Sequence, residues 1–107
     1  MYDDCIQDYD TVSVYFNTVP IVEQECIKLK TNGSIIKVVS LNKNAPNELV
    51  VKAWNIGTIN PNTLKIEFYE GDYANQPNLL RNKRPVRVEI LHSQPGIAGA
   101  MTLKCNQ

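Results

Sequence analysis

At 107 residues, with 43% hydrophobic and 21% charged side chains, the chain has the size and composition of one globular domain, which excludes disordered, collagen-like and disulfide-dense classes. Its 11 basic and 11 acidic side chains cancel, and zero net charge does not favour a nucleic-acid partner, whose phosphates are met by a surplus of Lys and Arg. No apolar run approaches the roughly 18 to 20 residues of a membrane span, so a soluble domain over 1–107 with no membrane span is expected.

The first ten residues place Asp3, Asp4, Asp8 and Asp10 among Tyr2, Cys5, Ile6 and Tyr9 without a period that would bury one face. They read as a flexible acidic arm over 1–10. They contain no basic region followed by an apolar core, so they do not read as a secretory signal. From Thr11 to Phe16, TVSVYF alternates Val12, Val14 and Phe16 with Ser13 and Tyr15, a strand pattern rich in β-branched and aromatic residues. Asn17 to Pro20 breaks it, because proline cannot donate to a ladder. In ECIKLKTNGSIIKVVSL, Asn32-Gly33 supplies the positive φ angles of a two-residue hairpin turn. The register sets Leu29 against Ile36 and Ile27 against Val38, with Lys28 facing Lys37 on a solvent-exposed side near a sheet edge.

Asn42 to Asn47 reads as a loop from its Asn and Pro content. From Glu48 to Trp54, Leu49, Val51 and Ala53 share one face and Val50, Lys52 and Trp54 the other, so a central strand is expected. After the NIGTINPN connector, TLKIEFY turns Leu64, Ile66 and Phe68 inward and Lys65, Glu67 and Tyr69 outward, and the two runs read as neighbouring strands. Gly71 to Arg84 lacks periodicity, although Leu79-Leu80 suits a short extra strand. Val86, Val88 and Ile90 alternate with Arg87, Glu89 and Leu91, and beyond the HSQPGIAG loop Met101, Leu103 and Cys105 alternate with Thr102 and Lys104. Period two recurs almost everywhere, with Gly and Pro between runs and no helical pattern. The expected fold is all-β, an immunoglobulin-like antiparallel β-sandwich of about seven strands.

The segment LVVKAWNIGTINPNTLKIEFYEGD resembles the Asn-x-Gly signature of CARDB-type and related adhesion-like domains, in which one strand ends in an Asn-x-Gly turn and the next in Tyr-x-Gly or similar. The matching residues are Asn55, Gly57, Phe68, Tyr69 and Gly71. The resemblance implies a non-enzymatic spacer or adhesive module, often extracellular, and supplies no functional residues. The antibody-type disulfide is not carried over, because Trp54 lies 28 residues after Cys26 and Cys105 falls on the last strand. Cys5, Cys26 and Cys105 leave open one bridge with a thiol over, or no bridge at all.

No catalytic, cofactor or metal signature emerges. His92 is the sole histidine and has no Cys or His at ligand spacing, so it reads as the opening of an exposed loop. The N-terminal aspartates lack the spacing and glycine of a calcium loop. Asn32-Gly33-Ser34 is a formal glycosylation sequon that a tight turn explains without a glycan. The dense cationic run Arg81, Lys83, Arg84 and Arg87, with Tyr69 and Tyr73 near in sequence, is the candidate binding surface. The expected function is non-catalytic protein interaction or assembly, as an adhesion, virion or secretion-apparatus subunit, with a protein partner or self-assembly through loops and sheet edges. The alternative is a small-ligand or carbohydrate-binding sandwich that stacks its ligand on Trp54 and the tyrosines. That alternative needs Trp54 exposed, whereas the weight of aromatic side chains in cores makes Trp54 an expected core anchor.

Overall fold

Alternating β-branched and apolar residues bury one face of a strand and wet the other, and here they produce two antiparallel sheets. The computed structural model describes residues 1–3, 11–26, 34–54, 62–71, 73, 75–93 and 98–104. Within them run β1 (Tyr2–Asp3), β2 (Thr11–Phe16), β3 (Val19–Cys26), β4 (Asn47–Ala53), β5 (Asn62–Phe68), β6 (Arg87–Ser93) and β7 (Gly99–Leu103), with a 3-10 helix, Pro77–Asn82, between β5 and β6. One sheet has the order β1-β5-β6 and the other β3-β2-β4-β7. The all-β expectation holds among the described residues, and the Cα radius of gyration, 13.6 Å, is near the roughly 13 Å of a compact chain this long.

The four-stranded sheet presents Val12, Val14 and Phe16 of β2, Val22 of β3, Leu49 and Val51 of β4, and Met101 and Leu103 of β7 to one buried face. Register explains the sharing: Phe16 lies opposite Leu49, which in turn lies opposite Met101. Leu64 and Ile66 of β5 and Leu91 of β6 join the same cluster from the three-stranded sheet. Each such side chain, fully buried, contributes about 1.5–3 kcal/mol. The sheets meet at β6 and β7, where a Cβ on Gly99 would stand 2.7 Å from the His92 carbonyl oxygen. Any larger residue at Gly99 would push backbone from backbone.

Several expectations are corrected. The hairpin that follows β2 turns at Asn17-Thr18, with φ of 50° and 69°, and brings Phe16 opposite Val19. Pro20 therefore lies inside β3, and it is tolerated because β3 is an edge strand with one neighbour. Asn32-Gly33 lies outside the described residues, but its expected second arm, from Ser34 to Leu41, forms no strand. The runs expected as neighbours, β4 and β5, belong to different sheets. Leu79-Leu80 sits in the 3-10 helix, which Pro77 starts without costing a helical donor. In β6, pairing of Leu64 with Leu91 fixes the parity, so Val88 and Ile90 turn outward, 44% and 43% exposed, while Val86, just before the strand, is 63% exposed. Tyr2–Asp3 pair with β5 as β1, so the chain's first three residues are docked, while 4–10 lie outside the described residues. So do Asn55, Gly57, Cys5 and Cys105. Cys26, at the end of β3, is exposed, and His92 lies within β6 rather than opening a loop.

Asn47 joins these pieces. It is 0% exposed. Its Oδ1 accepts from the Asn42 amide at 2.7 Å and from Asn17 Nδ2 at 3.0 Å, and its Nδ2 donates to the carbonyls of Asn42 and Leu103, both at 3.2 Å. Asn17 completes the tie: its amide donates to the Glu48 carbonyl and its Oδ1 accepts from the Glu48 amide, each at 2.8 Å. Asn47→Ala strands buried donors and acceptors on three segments and should cost about 3 kcal/mol in urea unfolding. A loss below about 1 kcal/mol would show that water or relaxation replaces the network.

Candidate functional site

Beyond β5 the chain must leave the sheet and return as β6. Gly71 makes the exit with φ of +108°, a conformation side chains disfavour, and its bare Cα admits the Tyr73 ring, whose Cε2 would stand 3.1 Å from a Cβ there. The Gln76 amide then donates to the Tyr73 carbonyl, the Leu79 amide to the Gln76 carbonyl and the Lys83 amide to the Leu80 carbonyl, each at 3.1 Å. The Val86 amide returns to the Phe68 carbonyl at 2.7 Å and restores the ladder. A segment without hydrophobic period is thus held by local backbone bonds.

This segment walls a solvent-open cleft of about 850 Å³. Tyr69, Tyr73, Asn78 and Leu80 form one side, Ser34 to Val39 the other, and Leu49, Ile66, Phe68 and Leu103 line it from the two sheets. Its size falls in the ordinary range of ligand sites, as does its apolar interior with a few polar groups. Those groups are organised: the Glu67 carboxylate accepts from the Tyr2 hydroxyl at 3.1 Å on Oε1 and from the Tyr69 hydroxyl at 3.2 Å on Oε2. One phenol on each oxygen fixes two rings at the cleft wall.

Tyr69 and Tyr73 line this cleft, and the Lys83 ammonium lies over the Tyr73 ring, 5.1 Å from its centroid. Arg84 is exposed outside the lining, and Arg81 sits in the 3-10 helix. Arg87 is engaged elsewhere. Its Nε donates to Glu89 Oε1 at 2.8 Å and its Nη1 to the Thr102 carbonyl of β7 at 3.0 Å. Of the cationic run, Lys83 and Arg87 therefore engage different elements. Sequence reasoning missed Tyr2, Glu67 and the 34–39 side of the cleft. Glu67 lies between two apolar residues in the sequence, but only the β1–β5 pairing brings it to Tyr2.

Trp54 lies apart from the cleft. It is 51% exposed, so the expected core anchor is corrected. The position continues the outer face of β4, while Leu49 and Val51 hold the core. The Trp54 indole N–H donates to the buried Ser13 Oγ, and the same oxygen accepts from the Gln24 amide at 3.0 Å. Beside it Lys52 Nζ lies 5.0 Å from the Tyr15 ring centroid. The outcome is an exposed indole held in one orientation.

Among the described residues no group of three His, Cys, Asp or Glu is placed to hold a metal ion. Among the described residues no helix is long and apolar enough to cross a membrane. Acrylamide should quench the single Trp strongly, as its exposure requires. Weak quenching would put Trp54 in the interior and contradict the Ser13 contact. Comparison with known proteins found no matching family model, no matching curated protein and no matching solved structure.

Proposed function

We propose that this protein is a non-catalytic interaction or assembly module with an immunoglobulin-like β-sandwich architecture, which engages a protein partner, or another copy of itself, at the cleft bounded by Tyr69 and Tyr73. The observation that carries this reading is the cleft. A domain that only had to fold would close its two sheets over their shared core, yet Leu49, Ile66 and Leu103 line a solvent-open space here. Large open apolar surface costs stability and marks interaction sites. Half-buried tyrosines at the rim suit partner contact, because they add wide apolar area with a polar tip at low entropic cost. The sandwich reading rests on one core fed by two antiparallel sheets.

A second reading is favoured by the Trp54 geometry. An exposed indole whose N–H is already satisfied presents its π-face to solvent, and such a face stacks on a sugar ring or another flat ligand. The two readings use different surfaces, because Trp54 is not part of the cleft lining.

A photo-crosslinking amino acid at Asn78, on the cleft wall, should yield a discrete adduct with the partner in the native source. Tyr73→Ala should reduce that adduct severalfold, and the same probe at Glu23, on exposed β3, should yield none. Equal adducts from both positions would place the interaction elsewhere. Loss of both, together with a Trp54 emission shift on titration with oligosaccharides, would favour the second reading.

A further inference from the structure

β6 is an edge. Among the described residues its one strand neighbour is β5, and every residue from Arg87 to Ser93 pairs with β5 in unbroken register. The Phe68 carbonyl accepts from the Val86 amide at 2.7 Å and so faces β6. Backbone groups alternate sides along a strand, so Ile66 and Leu64 face β6 as well, and their partners Glu89 and Leu91 face back. Val88 and Ile90 therefore turn their N–H and C=O groups to the open side. His92, of the same parity, agrees: its carbonyl oxygen, ahead of its carbonyl carbon, is the atom nearest a Cβ on Gly99 of β7. Among the described residues neither Val88 nor Ile90 makes a hydrogen bond on that side. The other sheet's edges are guarded, β3 by Pro20 and two register shifts and β7 by Arg87 on the Thr102 carbonyl. The run RVEILHS of β6 holds no proline, no lysine and no shift.

We propose that β6 is a dimer edge: a second copy of this chain adds its own β6, antiparallel, about a two-fold axis at Val88, and joins the two three-stranded sheets into one. This goes beyond the cleft, whose lining contains no residue of β6. Charge selects both the occupant and the register. With the axis at Val88, Arg87 lies opposite the partner's Glu89 and Glu89 opposite the partner's Arg87, so opposite charges face each other twice. Each keeps an atom for that pairing. Arg87 engages Glu89 Oε1 through Nε and the Thr102 carbonyl through Nη1, while Arg87 Nη2 and Glu89 Oε2 have no partner among the described residues. An axis at Arg87 or at Glu89 would set like charges face to face, and an axis at Ile90 would set Glu89 against the partner's Leu91. On the outer face the Val88 register places Val88 against the partner's Val88 and Ile90 against the partner's Val86. Three exposed apolar side chains on each copy then form one strip. Across β5 that strip is bordered by Lys65, opposite Ile90, and Glu67, opposite Val88, so only chain added beyond β6 extends it. Val88 facing Val88 also exchanges two backbone bonds. A patch complementary to itself closes at two copies.

The test is sedimentation of the full chain over a range of concentrations, with amide hydrogen exchange on the isotope-labelled chain. One strand edge buries less than about 1,200 Å², the weak class of interface, so half of the chain should be dimeric near about 100 µM. Exchange at the Val88 and Ile90 amides should slow at least about fivefold between about 20 µM and about 1 mM. Val88→Lys, at an exposed position, should remain monomeric at about 1 mM with its urea midpoint unchanged. Arg87→Glu or Glu89→Arg alone should weaken dimerisation at least about fivefold, and the two together should restore it to within about twofold. A monomer at about 1 mM would overturn the proposal, as would a dimer that survives Val88→Lys or is indifferent to the single charge reversals. A dimer whose protection grows at Ile36–Val39 and leaves Val88 and Ile90 unchanged would overturn the β6 edge and place the contact at the cleft.

Discussion

One buried carboxamide holds this architecture together. Asn47 sits where three segments meet: the Asn17-Thr18 turn, the 42–45 bend and the end of β7. Each brings a polar group to the junction, and a polar group buried without a partner costs more than a made hydrogen bond returns. A side chain with two donors and a two-lone-pair acceptor satisfies all three at once. The Asn42 carboxamide helps from outside, accepting from the Asn44 amide at 3.1 Å and shaping the bend that delivers its backbone to Asn47. With that junction set, β4 enters the middle of its sheet in the register that opposes Leu49 to both Phe16 and Met101, and the core follows.

What could be read in the residues divides along a physical line. Period-two alternation located β2, β4, β5 and β7 and named most of the core, because burial of one strand face is a local property. Side-chain parity in β6 was not local. Val86, Val88 and Ile90 alternate with Arg87, Glu89 and Leu91, and only the pairing of Leu64 with Leu91 decides which face turns inward. The Asn-Gly signal drew attention from Asn17-Thr18, a turn with a β-branched residue at positive φ that only the bonds between Asn17 and Glu48 make intelligible. The candidate site was half legible. The loop after Gly71 stood out by its lack of pattern, and Tyr69 and Tyr73 do line the cleft, whereas the contribution of Tyr2 and residues 34–39 depends on pairings far apart in sequence.

The sheet edges tie fold to function. An edge strand is a liability unless it is blunted, and β3 and β7 show two remedies, a proline with bulges and an arginine laid across a carbonyl. At the margin of the cleft the four-stranded sheet shows Leu49 and Leu103 to the opening, and Glu67 fixes two tyrosine rings beside it. Stability in the four-stranded sheet and openness at this margin are consistent with a module whose rigid half presents its incomplete half.

Native-state hydrogen exchange on the isolated protein tests this division most directly. Amides of β2 and β4 should exchange only through global unfolding, and those of Ile36–Val39, which make no backbone hydrogen bond among the described residues, should exchange at least about a hundredfold faster. Protection of Ile36–Val39 equal to that of β4 would mean that these amides are already bonded within the chain, and the division between a rigid sheet and an open cleft wall would be wrong.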